Sequence, residues 1–407
     1  MKKHLLIILT IVLSVFVSSC SQNCKKGSGY TIKDNTIVFD EPERIEGQKS
    51  VLQLAVDPIP VVRIGFIGLG MRGYSAVARI SNIEGVEFKA LCDLTQEHVD
   101  FVNKHVIEPK KLPKCAEYVG EDEWKKLCER DDIDLVYICS DWATHVPMAV
   151  YAMQHGKHVA IEVPAATSVE ECWQLVDVAE QTQRHCMMLE NCCYDFFELT
   201  CLNMAQQGLF GEVIHAQGAY IHNLEDYWTR YHNNWRLDFN QKHAGDVYPT
   251  HGLGPVCQVL NIHRGDKMDY LVSMSTPSIN GLKIAKEQMG VDTFANGDMT
   301  STLIKTNKGK TILIQHNVYT PRPYDRLYQL TGTEGFANKY PIEGFTLRNK
   351  NVSSNIIRDH EKLDEHSFVS NEVRDSLMMA YKHPIAKDIE EKAKQVGGHG
   401  GMDFIMD

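Results

Sequence analysis

Three glycines, Gly68, Gly70 and Gly73, follow the apolar run Val61 to Ile67 in the spacing GxGxxG. In such a loop one glycine allows a tight turn and one lets backbone N–H groups approach a pyrophosphate. The third lets the next helix pack closely on the strand. The spacing therefore predicts a buried strand, a phosphate-binding turn and a helix whose N-terminus faces the anion.

An acidic residue follows at the distance that a dinucleotide site requires. Val86 to Cys92 predicts a second strand, and Asp93 ends it, 20 residues after Gly73. A carboxylate at this place accepts hydrogen bonds from ribose hydroxyls and repels a 2′-phosphate. We therefore expect NAD(H) rather than NADP(H).

From residue 61 to residue 191 the sequence alternates between apolar runs and helical patterns, which predicts a doubly wound α/β domain around these residues. At the end of the strand that closes with Cys139 stands the polar stretch Ser140 to His145. Open α/β sheets bind ligands at this edge. Asp141 or Thr144 also suits the N-cap of the next helix. The predicted helices are Gln96 to Val106, Glu121 to Glu129, the helix that follows this polar stretch and ends at His155, and Ser168 to about Gln183. The predicted strands are Ile133 to Cys139, His158 to Glu162 and Met187 to Glu190.

Composition and charge fit a two-domain globular protein and argue against nucleic-acid binding. The chain has 407 residues, 43% of them hydrophobic, and a formal charge of −11 without a basic stretch. Its twelve cysteines show no CxxC or Cys/His spacing. We therefore predict buried thiols and no metal, with one or two disulfides left open.

The first sixty residues differ from the rest. Lys2 and Lys3 precede an apolar run from Leu5 to Val17, which predicts a signal peptide over residues 1–20. The run ends in VSSC, which resembles a bacterial lipobox with Cys20 as the lipidated residue. We expect an exported protein anchored to a bacterial membrane, on the periplasmic or outer surface, with residues 21–60 as a tether. The alternatives are an ordinary secretory signal and a disordered start.

The part from residue 192 to about 369 alternates polar and apolar residues with period two. This pattern predicts an α+β domain with a mostly antiparallel sheet, of which one face is open to a site or to a second copy in a homo-oligomer. Residues 370–407 form a C-terminal segment, predicted helical from Ser370 to Gln395 and flexible over Gly397 to Gly401. The predicted strands are Val213 to Tyr220, Asp298 to Thr306, Thr311 to Asn317 and Tyr328 to Thr331.

This second domain is rich in polar aromatic side chains. Sugars offer hydroxyls for hydrogen bonds and C–H faces for stacking on rings, so the set suits a carbohydrate site. Each ring can equally be a core or interface residue with a satisfied polar group. The set contains Tyr194, Tyr220, His222, Tyr227, Trp228, Tyr231, His232, Trp235 and Arg236.

GLGMRG, Asp93, the strand-end WATH and the triplet Glu162-Val163-Pro164 resemble the Gfo/Idh/MocA superfamily. The resemblance implies an N-terminal Rossmann domain and a C-terminal open-faced sheet domain that holds a sugar. In the dehydrogenases the middle residue of the triplet is an acid/base lysine, and here it is Val163. The dehydrogenases also carry an aspartate four residues before the histidine of their sugar domain. The corresponding histidine here is His251, and the residue four positions before it is Val247. Asp246 lies one position too early to match that aspartate.

A closer resemblance follows from ENCCYDFFELTCLNMAQQGLFGEVIHAQGAYIH, YPTHGLGPVCQ, QHNVYTPRPYDR and GGHGGMDFIM, which look like glycoside hydrolase family 109. The described activity of that family is α-N-acetylgalactosaminidase with a bound NAD. It implies that C3 of the sugar is oxidised, the C2 proton is removed, the glycosidic oxygen is eliminated, water adds and the hydride returns. We find no convincing pair of carboxylates of the ordinary glycosidase type.

The resemblance also assigns site residues. His251 is the expected acid/base near C3, and Tyr194 or Tyr324 is the expected C2 base, with a pKa lowered by Arg236 or by oxidised nicotinamide. The cofactor residues are Gly68, Gly70, Met71, Arg72, Gly73, Asp93, Trp142, Ala143, Thr144, His145, Glu162, Val163 and Asn191. The substrate residues are Tyr220, Arg236, Tyr248, Pro249, Thr250, His251 and Tyr324.

Two other functions remain open at this point. One is a sugar oxidoreductase with net NAD(H) turnover, which Val163 and Val247 disfavour. The other is a lipid-anchored sugar-binding protein with a structural nucleotide. Hydrolysis that uses a retained NAD separates the expected enzyme from both.

Overall fold

The computed structural model describes most of the chain after the predicted leader. That leader and Cys20, the residue predicted to carry a lipid, lie outside the described residues. The chain divides into two compact units, residues 1–48 and 49–407. The described residues are 30–39, 41–353, 355–356 and 363–407.

The described part of the first unit contains a β-hairpin where the sequence predicted only a tether. Strands β1 (Tyr30–Lys33) and β2 (Thr36–Phe39) pair antiparallel. Asp34 and Asn35 connect them with φ values of 49° and 60°. Positive φ at both turn residues matches the twist of the flanking strands, and Asp and Asn tolerate it well.

The second unit begins with a parallel sheet in the doubly wound order β5-β4-β3-β6-β7-β8. Its two faces are both covered, because Phe66 packs in the core on one side and Ile67 in the core on the other. The predicted N-terminal Rossmann domain is thereby confirmed. Its strands are β3 (Val62–Ile67), β4 (Val86–Asp93), β5 (Ala116–Val119), β6 (Leu135–Ile138), β7 (His158–Glu162) and β8 (Cys186–Leu189), and its helices are α1 (Met71–Ile80), α2 (Gln96–Val102), α3 (Glu123–Cys128), α4 (Trp142–Gln154) and α5 (Val169–Thr182).

The predicted start of α5 agrees with the structure in detail. The Ser168 hydroxyl accepts the Glu171 backbone N–H at 3.1 Å, and the Glu171 carboxylate accepts the Thr167 backbone N–H at 2.7 Å. Two N–H groups at the helix start are therefore satisfied locally. The helix predicted from Gln96 instead changes after Val102 into a π-helical turn over Asn103–Ile107.

A mostly antiparallel sheet forms the second domain, in the order β10-β11-β12-β9-β13-β14-β15 with only β9 and β12 parallel. Helices cover one face, where Met204, Val256 and Ile314 share a core. The sequence predicted β9, β11, β12 and β13 and missed the other strands. The elements are α6 (Phe196–Gln206), β9 (Val213–Ile221), α7 (Trp235–Lys242), α8 (Thr250–Val259), β10 (Met268–Ser275), α9 (Asn280–Met289), β11 (Thr300–Thr306), β12 (Thr311–Asn317), β13 (Tyr328–Gly332), β14 (Gly335–Asn338) and β15 (Gly344–Leu347).

The predicted flexible ending is wrong, because the chain closes in a buried helix. Helices α10 (Asn371–Ala380), α11 (Pro384–Lys387) and α12 (Glu390–Val396) are followed by α13 (Met402–Met406), which is buried throughout. The last residue, Asp407, accepts the Tyr137 hydroxyl at 2.7 Å. Apolar side chains around the glycines therefore return the C-terminus to the parallel sheet.

All ten described cysteines are unpaired thiols, so the alternative of disulfides has no support in this part of the chain. Burial raises the pKa of Cys92 and of Cys128 to about 12, which keeps them protonated and unreactive. No helix among the described residues has the length and apolar character that crossing a membrane requires.

Candidate active site

The glycine loop is closed on its strand side and open at its centre. A Cβ at Gly68, where φ is +84°, would lie 2.7 Å from the carbonyl of Cys139. A Cβ at Gly73 would lie 1.8 Å from the carbonyl oxygen of Gly68. At Gly70, which precedes the half-exposed Met71 at the start of α1, a Cβ would meet no atom within 4 Å. The open place lies at a helix N-terminus and therefore fits the pyrophosphate of NAD.

Asp93 is the last residue of β4 and also holds the glycine loop. Its Oδ2 accepts the backbone N–H of Leu69 at 2.7 Å, and its Oδ1 accepts that of Thr95 at 3.0 Å. His98 Nδ1 lies 2.9 Å from the same Oδ1. A carboxylate oxygen has two lone pairs, so Oδ2 keeps one acceptor site for a ribose hydroxyl. The donor set around the loop thus fits NAD.

The Arg72 guanidinium binds two carboxylates, one at the end of β7 and one in the C-terminal helix α13. Its Nε donates to Glu162 Oε1 at 2.6 Å, and its Nη1 donates to Asp403 Oδ2 at 2.8 Å. The Asn191 amide donates to Asp403 Oδ1 at 2.6 Å. Burial raises the pKa of Glu162, although the charge of Arg72 opposes the shift. Two predicted cofactor residues, Arg72 and Asn191, therefore meet at Asp403, which the sequence analysis did not single out.

The start of α4 resolves the two capping alternatives. Asp141 is the N-cap, because its carboxylate accepts the Ala143 backbone N–H at 3.0 Å. The Thr144 hydroxyl donates back to the Asp141 carbonyl at 3.0 Å. Trp142 is buried, and its ring stacks on Tyr248 at 5.5 Å. Trp142 therefore links the nucleotide domain to the aromatic residues of the second domain.

The buried ring of His145 lies between two backbone carbonyls. Its Nδ1 lies 2.8 Å from the Pro164 carbonyl and its Nε2 lies 3.1 Å from the Ser140 carbonyl. Burial lowers the pKa of His145. The ring thus lies against two strand-end loops, and the contact of His145 with the cofactor stays a prediction. Next to Pro164, Val163 is buried among aromatic side chains, so no proton carrier stands at the dehydrogenase lysine position.

His251 lies in the first turn of α8. The helix begins at Thr250. His251 Nδ1 lies 2.6 Å from Glu190 Oε1, which also accepts the Cys192 backbone N–H at 3.0 Å. A histidine of the second domain is thus oriented by a carboxylate at the end of the parallel sheet.

Charge and aromatic rings shape the surroundings of His251. Burial acts to raise the pKa of Glu190, but the charge and hydrogen bond of His251 bring it below its usual range. Glu190 is therefore ionised at neutral pH. The rings of Tyr220 and Tyr248 lie 5.1 and 5.0 Å from the imidazole, and Pro249 separates Tyr248 from the helix.

Arg236 is buried in a cage of aromatic rings. Its guanidinium carbon lies 4.8 Å from the Tyr248 ring centroid, 5.0 Å from Trp142 and 6.0 Å from Tyr220. One Nη donates to the Tyr231 hydroxyl at 2.9 Å, and the buried Nε has no hydrogen-bond partner among the described residues. A cation with free donors against apolar rings suits a sugar's oxygens and C–H face.

The two tyrosines predicted as C2 bases occupy different places. Tyr324 lies 4.9 Å from the His222 ring, whereas Tyr194 packs among core side chains that include Met406. Burial raises the pKa of both phenols, and the cation beside Tyr324 is Arg326, at 5.5 Å. The predicted lowering of the base's pKa by Arg236 is therefore not found. Tyr324 shares the side of the site that faces His222, and Tyr194 does not.

Two further histidines belong to the site. His222 Nδ1 lies 3.1 Å from the Tyr220 hydroxyl, and burial together with the charges of Arg236, His399 and other cations lowers its pKa to about 4. His399 Nδ1 lies 2.9 Å from Asp403 Oδ2, and the side chain is half-exposed. The site therefore has a second imidazole paired with a carboxylate.

One group of side chains has the donor types of a metal site. Glu190, Cys192 and His251 place their donor atoms within 4.8 Å of one another. Arg326 Nη1, however, lies 2.9 Å from the Cys192 sulfur. A guanidinium at the sulfur disfavours a divalent cation there, and the absence of a metal stays a prediction.

Glu190, Asp403 and His399 are the residues that sequence reasoning missed. Glu190 had a signal, since it follows an apolar strand at the ligand-binding edge. Asp403 and His399 stand in the glycine-rich ending, whose glycines predicted flexibility. The alternation of glycines with apolar residues up to Met406 was the overlooked indication of packing.

Comparisons with known proteins agree with this architecture. Residues 194–407 match the model of the glycosyl hydrolase 109 C-terminal domain, and residues 62–190 match that of the oxidoreductase family with an NAD-binding Rossmann fold. The glycosyl hydrolase family 109 protein 1 of Bacteroides fragilis is 58% identical over 398 residues, 97% of this chain and 85% of the relative. An alpha-N-acetylgalactosaminidase of the same species is 49% identical over 372 residues, 88% of this chain and 84% of the relative.

A solved structure extends the agreement to the fold. The apo scyllo-inositol dehydrogenase of Lactobacillus casei has a TM-score of 0.57 and 14% identity, over 86% of this chain and 94% of its own. The Rossmann match and the open glycine loop identify NAD as the cofactor. With its C-terminal domain and its relatives, the chain belongs to glycosyl hydrolase family 109, a family of NAD-binding glycosidases.

Proposed function

We propose that the protein hydrolyses terminal α-linked N-acetylgalactosaminides with an NAD that it retains through the cycle. The observation that carries the proposal is the His251–Glu190 pair, with its 2.6 Å contact, in a site where Val163 is apolar. Proton transfer is thereby available from the second domain and absent at the dehydrogenase lysine position. The 49% identical relative named alpha-N-acetylgalactosaminidase supports the choice of sugar.

NAD held by the glycine loop and Asp93 would supply a hydride acceptor for C3 and, as NADH, a hydride donor at the end of the cycle. His251 takes the proton of the C3 hydroxyl through Nε2, while Glu190 holds Nδ1 and stabilises the imidazolium. Arg236 donates to sugar oxygens and orients the ring over Tyr248. Both side chains are already oriented by hydrogen bonds, His251 by Glu190 and Arg236 by Tyr231.

Proton transfer at C2 and at the leaving oxygen needs further groups. Tyr324 is our candidate for the C2 base, supported by its contact with His222 and by the cation of Arg326 beside it. Tyr194 is the alternative. His399, held by Asp403 at 2.9 Å, is a second imidazole available to the leaving oxygen.

The test is incubation of the purified protein with a chromogenic α-N-acetylgalactosaminide in deuterated water, without added nucleotide. Mass analysis of the released sugar then reports on C2. Release of sugar with deuterium at C2 supports oxidation, elimination and re-addition on a retained cofactor. Release without deuterium contradicts this mechanism. NADH that accumulates from free sugar and NAD indicates a sugar oxidoreductase, and silence in both assays indicates a sugar-binding protein.

We also propose that the protein is exported and anchored by a lipid on Cys20, in the bacterial cell envelope. The support is the sequence VSSC after an apolar run of signal-peptide length. Metabolic labelling with a clickable fatty acid tests it. Cys20→Ala removes the label and releases the protein from the membrane fraction if the proposal is right.

We further propose a homo-oligomer formed through the open sheet face. Val272, Leu303 and Leu313 are cross-strand neighbours in an apolar row on that face, with Tyr270 and Met274 exposed beside it. Such a patch favours burial against a second copy. Light scattering of the wild type and of Leu303→Asp measures the mass of each, and a monomeric wild type contradicts the proposal.

A further inference from the structure

The carboxylate of Asp403 is the meeting point of segments that are far apart in the chain. Arg72 Nη1 and Asn191 Nδ2 donate to it at 2.8 and 2.6 Å, and His399 Nδ1 lies 2.9 Å from it. The side chain of Arg79 lies 3.6 Å away. Asp403 itself is 1% exposed. Each carboxylate oxygen is therefore used by at least one group of the nucleotide domain.

These contacts run along the edge of the parallel sheet where a nucleotide binds. Arg72 belongs to the first turn of α1, directly after the glycine loop, and Asn191 directly follows Glu190 beyond the end of β8. The Arg72 guanidinium also donates a hydrogen bond to Glu162, at the end of β7. Its charge is thus divided between two carboxylates, so it serves to hold the loop rather than to reach freely for a phosphate.

The turn before α13 is built closely around the same carboxylate. A Cβ on Gly398 would lie 2.7 Å from Cβ of Asp403 and 2.7 Å from Cδ of Arg79. His399 has a φ of +47° and returns its ring to Asp403. A displacement of Asp403 would therefore move the glycine-rich turn and the Arg72 side chain together.

We propose that Asp403 is a positioning residue for NAD, through which the C-terminal segment holds Arg72 and Asn191 and becomes part of the nucleotide site. Asp403 touches no reacting atom. It keeps the first turn of α1 and the residue after β8 in one arrangement, so that the N–H groups of the loop converge on the pyrophosphate. By linkage, bound NAD stabilises the turn that carries His399.

The nearby Asp407 provides a matched control. It ends the same segment and is equally buried, but it binds Arg79 at 2.6 Å and Tyr137 at 2.7 Å, away from Arg72 and Asn191. Asp403→Asn and Asp407→Asn both remove one buried negative charge that docks the C-terminus. Only Asp403→Asn removes a negative charge that contacts Arg72, next to the glycine loop.

The experiment measures NAD dissociation constants of the full chain by calorimetric titration, together with melting temperatures with and without NAD. We expect about tenfold weaker NAD binding for Asp403→Asn and a change below threefold for Asp407→Asn. Arg72→Gln and the double variant Arg72→Gln/Asp403→Asn complete a cycle. If Asp403 acts through Arg72, the loss of NAD affinity in the double variant is smaller than the two single losses combined.

Two results would overturn the proposal. Unchanged NAD affinity in Asp403→Asn shows that the carboxylate only docks the segment. Equal losses in the two aspartate variants, or additive losses in the cycle, show that no path through Arg72 exists. Should Asp403→Asn not fold, Arg72→Gln serves instead, because it removes the guanidinium that binds both Glu162 and Asp403, and unchanged affinity there overturns the proposal. Since the readout is NAD binding, its failure leaves the proposed hydrolysis untouched.

Discussion

Replacing Glu190 by Gln tests whether a buried charge supports the proton transfer of His251. Gln keeps the size of the side chain and an oxygen that accepts from His251 Nδ1, so the ring orientation is preserved. It removes the negative charge that lies 2.6 Å from the imidazole. The effect of the variant is therefore confined to the stabilisation of the protonated ring.

The magnitude follows from the kind of hydrogen bond that is lost. A hydrogen bond to a charged group contributes about 1.5–3 kcal/mol and a neutral one about 0.5–1.5 kcal/mol. The difference of about 1–1.5 kcal/mol corresponds to a roughly tenfold lower kcat. Glu190→Ala removes the acceptor as well and loses about 10- to 150-fold.

The assay is release of a chromogenic aglycone, with NAD titration as a check on the cofactor site. Glu198→Gln is the matched control, since Glu198 is a buried carboxylate that binds Lys339 at 2.7 Å and does not contact His251. We expect its kcat to stay within twofold of the wild type. A Glu190→Gln enzyme with more than half the wild-type kcat refutes the reasoning, as does an equal loss in the control.

Three other perturbations follow from the structure. Gly70→Ala should fold like the wild type, because its Cβ meets no atom, and bind NAD at least tenfold more weakly, whereas Gly73→Ala should lose stability; melting curves and NAD titration separate them. Burial raises the pKa of Asp246 from 3.8 to about 7, so folded-state stability falls as pH rises between these values. Asp246→Asn should increase the free energy of unfolding at pH 8 by up to about 4 kcal/mol, which is measured as a higher melting temperature. This gain should disappear as the pH falls below about 4, where Asp246 is protonated in both the folded and the unfolded state. Tyr324→Phe should abolish deuterium uptake at C2 while Tyr194→Phe retains it, and the reverse result would make Tyr194 the base.

The nucleotide domain could be predicted closely because its signals are local. Strand β7 was predicted and is observed over His158–Glu162, and Asp93 was predicted to end β4 and does so. Strands buried on both faces are continuous apolar runs, and glycine or a polar residue marks their ends. These features need no knowledge of the partner elements.

The second domain was harder to predict, because some of its strands carry no such signal. Strand β10 (Met268–Ser275) is exposed almost throughout, so burial imposes no period on it. Strands β14 and β15 have four residues each and contain glycine. Their pairing depends on the neighbours that the sheet supplies, and β-propensity alone does not specify it.

The amino-acid sequence alone shows which chemical groups the protein has and which it lacks. The glycine spacing and Asp93 predicted NAD, and Val163 excluded a proton carrier at that position. The pairing of side chains in the site depends on the folded structure, since His251 and Glu190 are 61 residues apart and Arg72 and Asp403 are 331 apart. A hydrogen bond over such separations has no sequence pattern, because its partners are chosen by the packing of the elements that carry them.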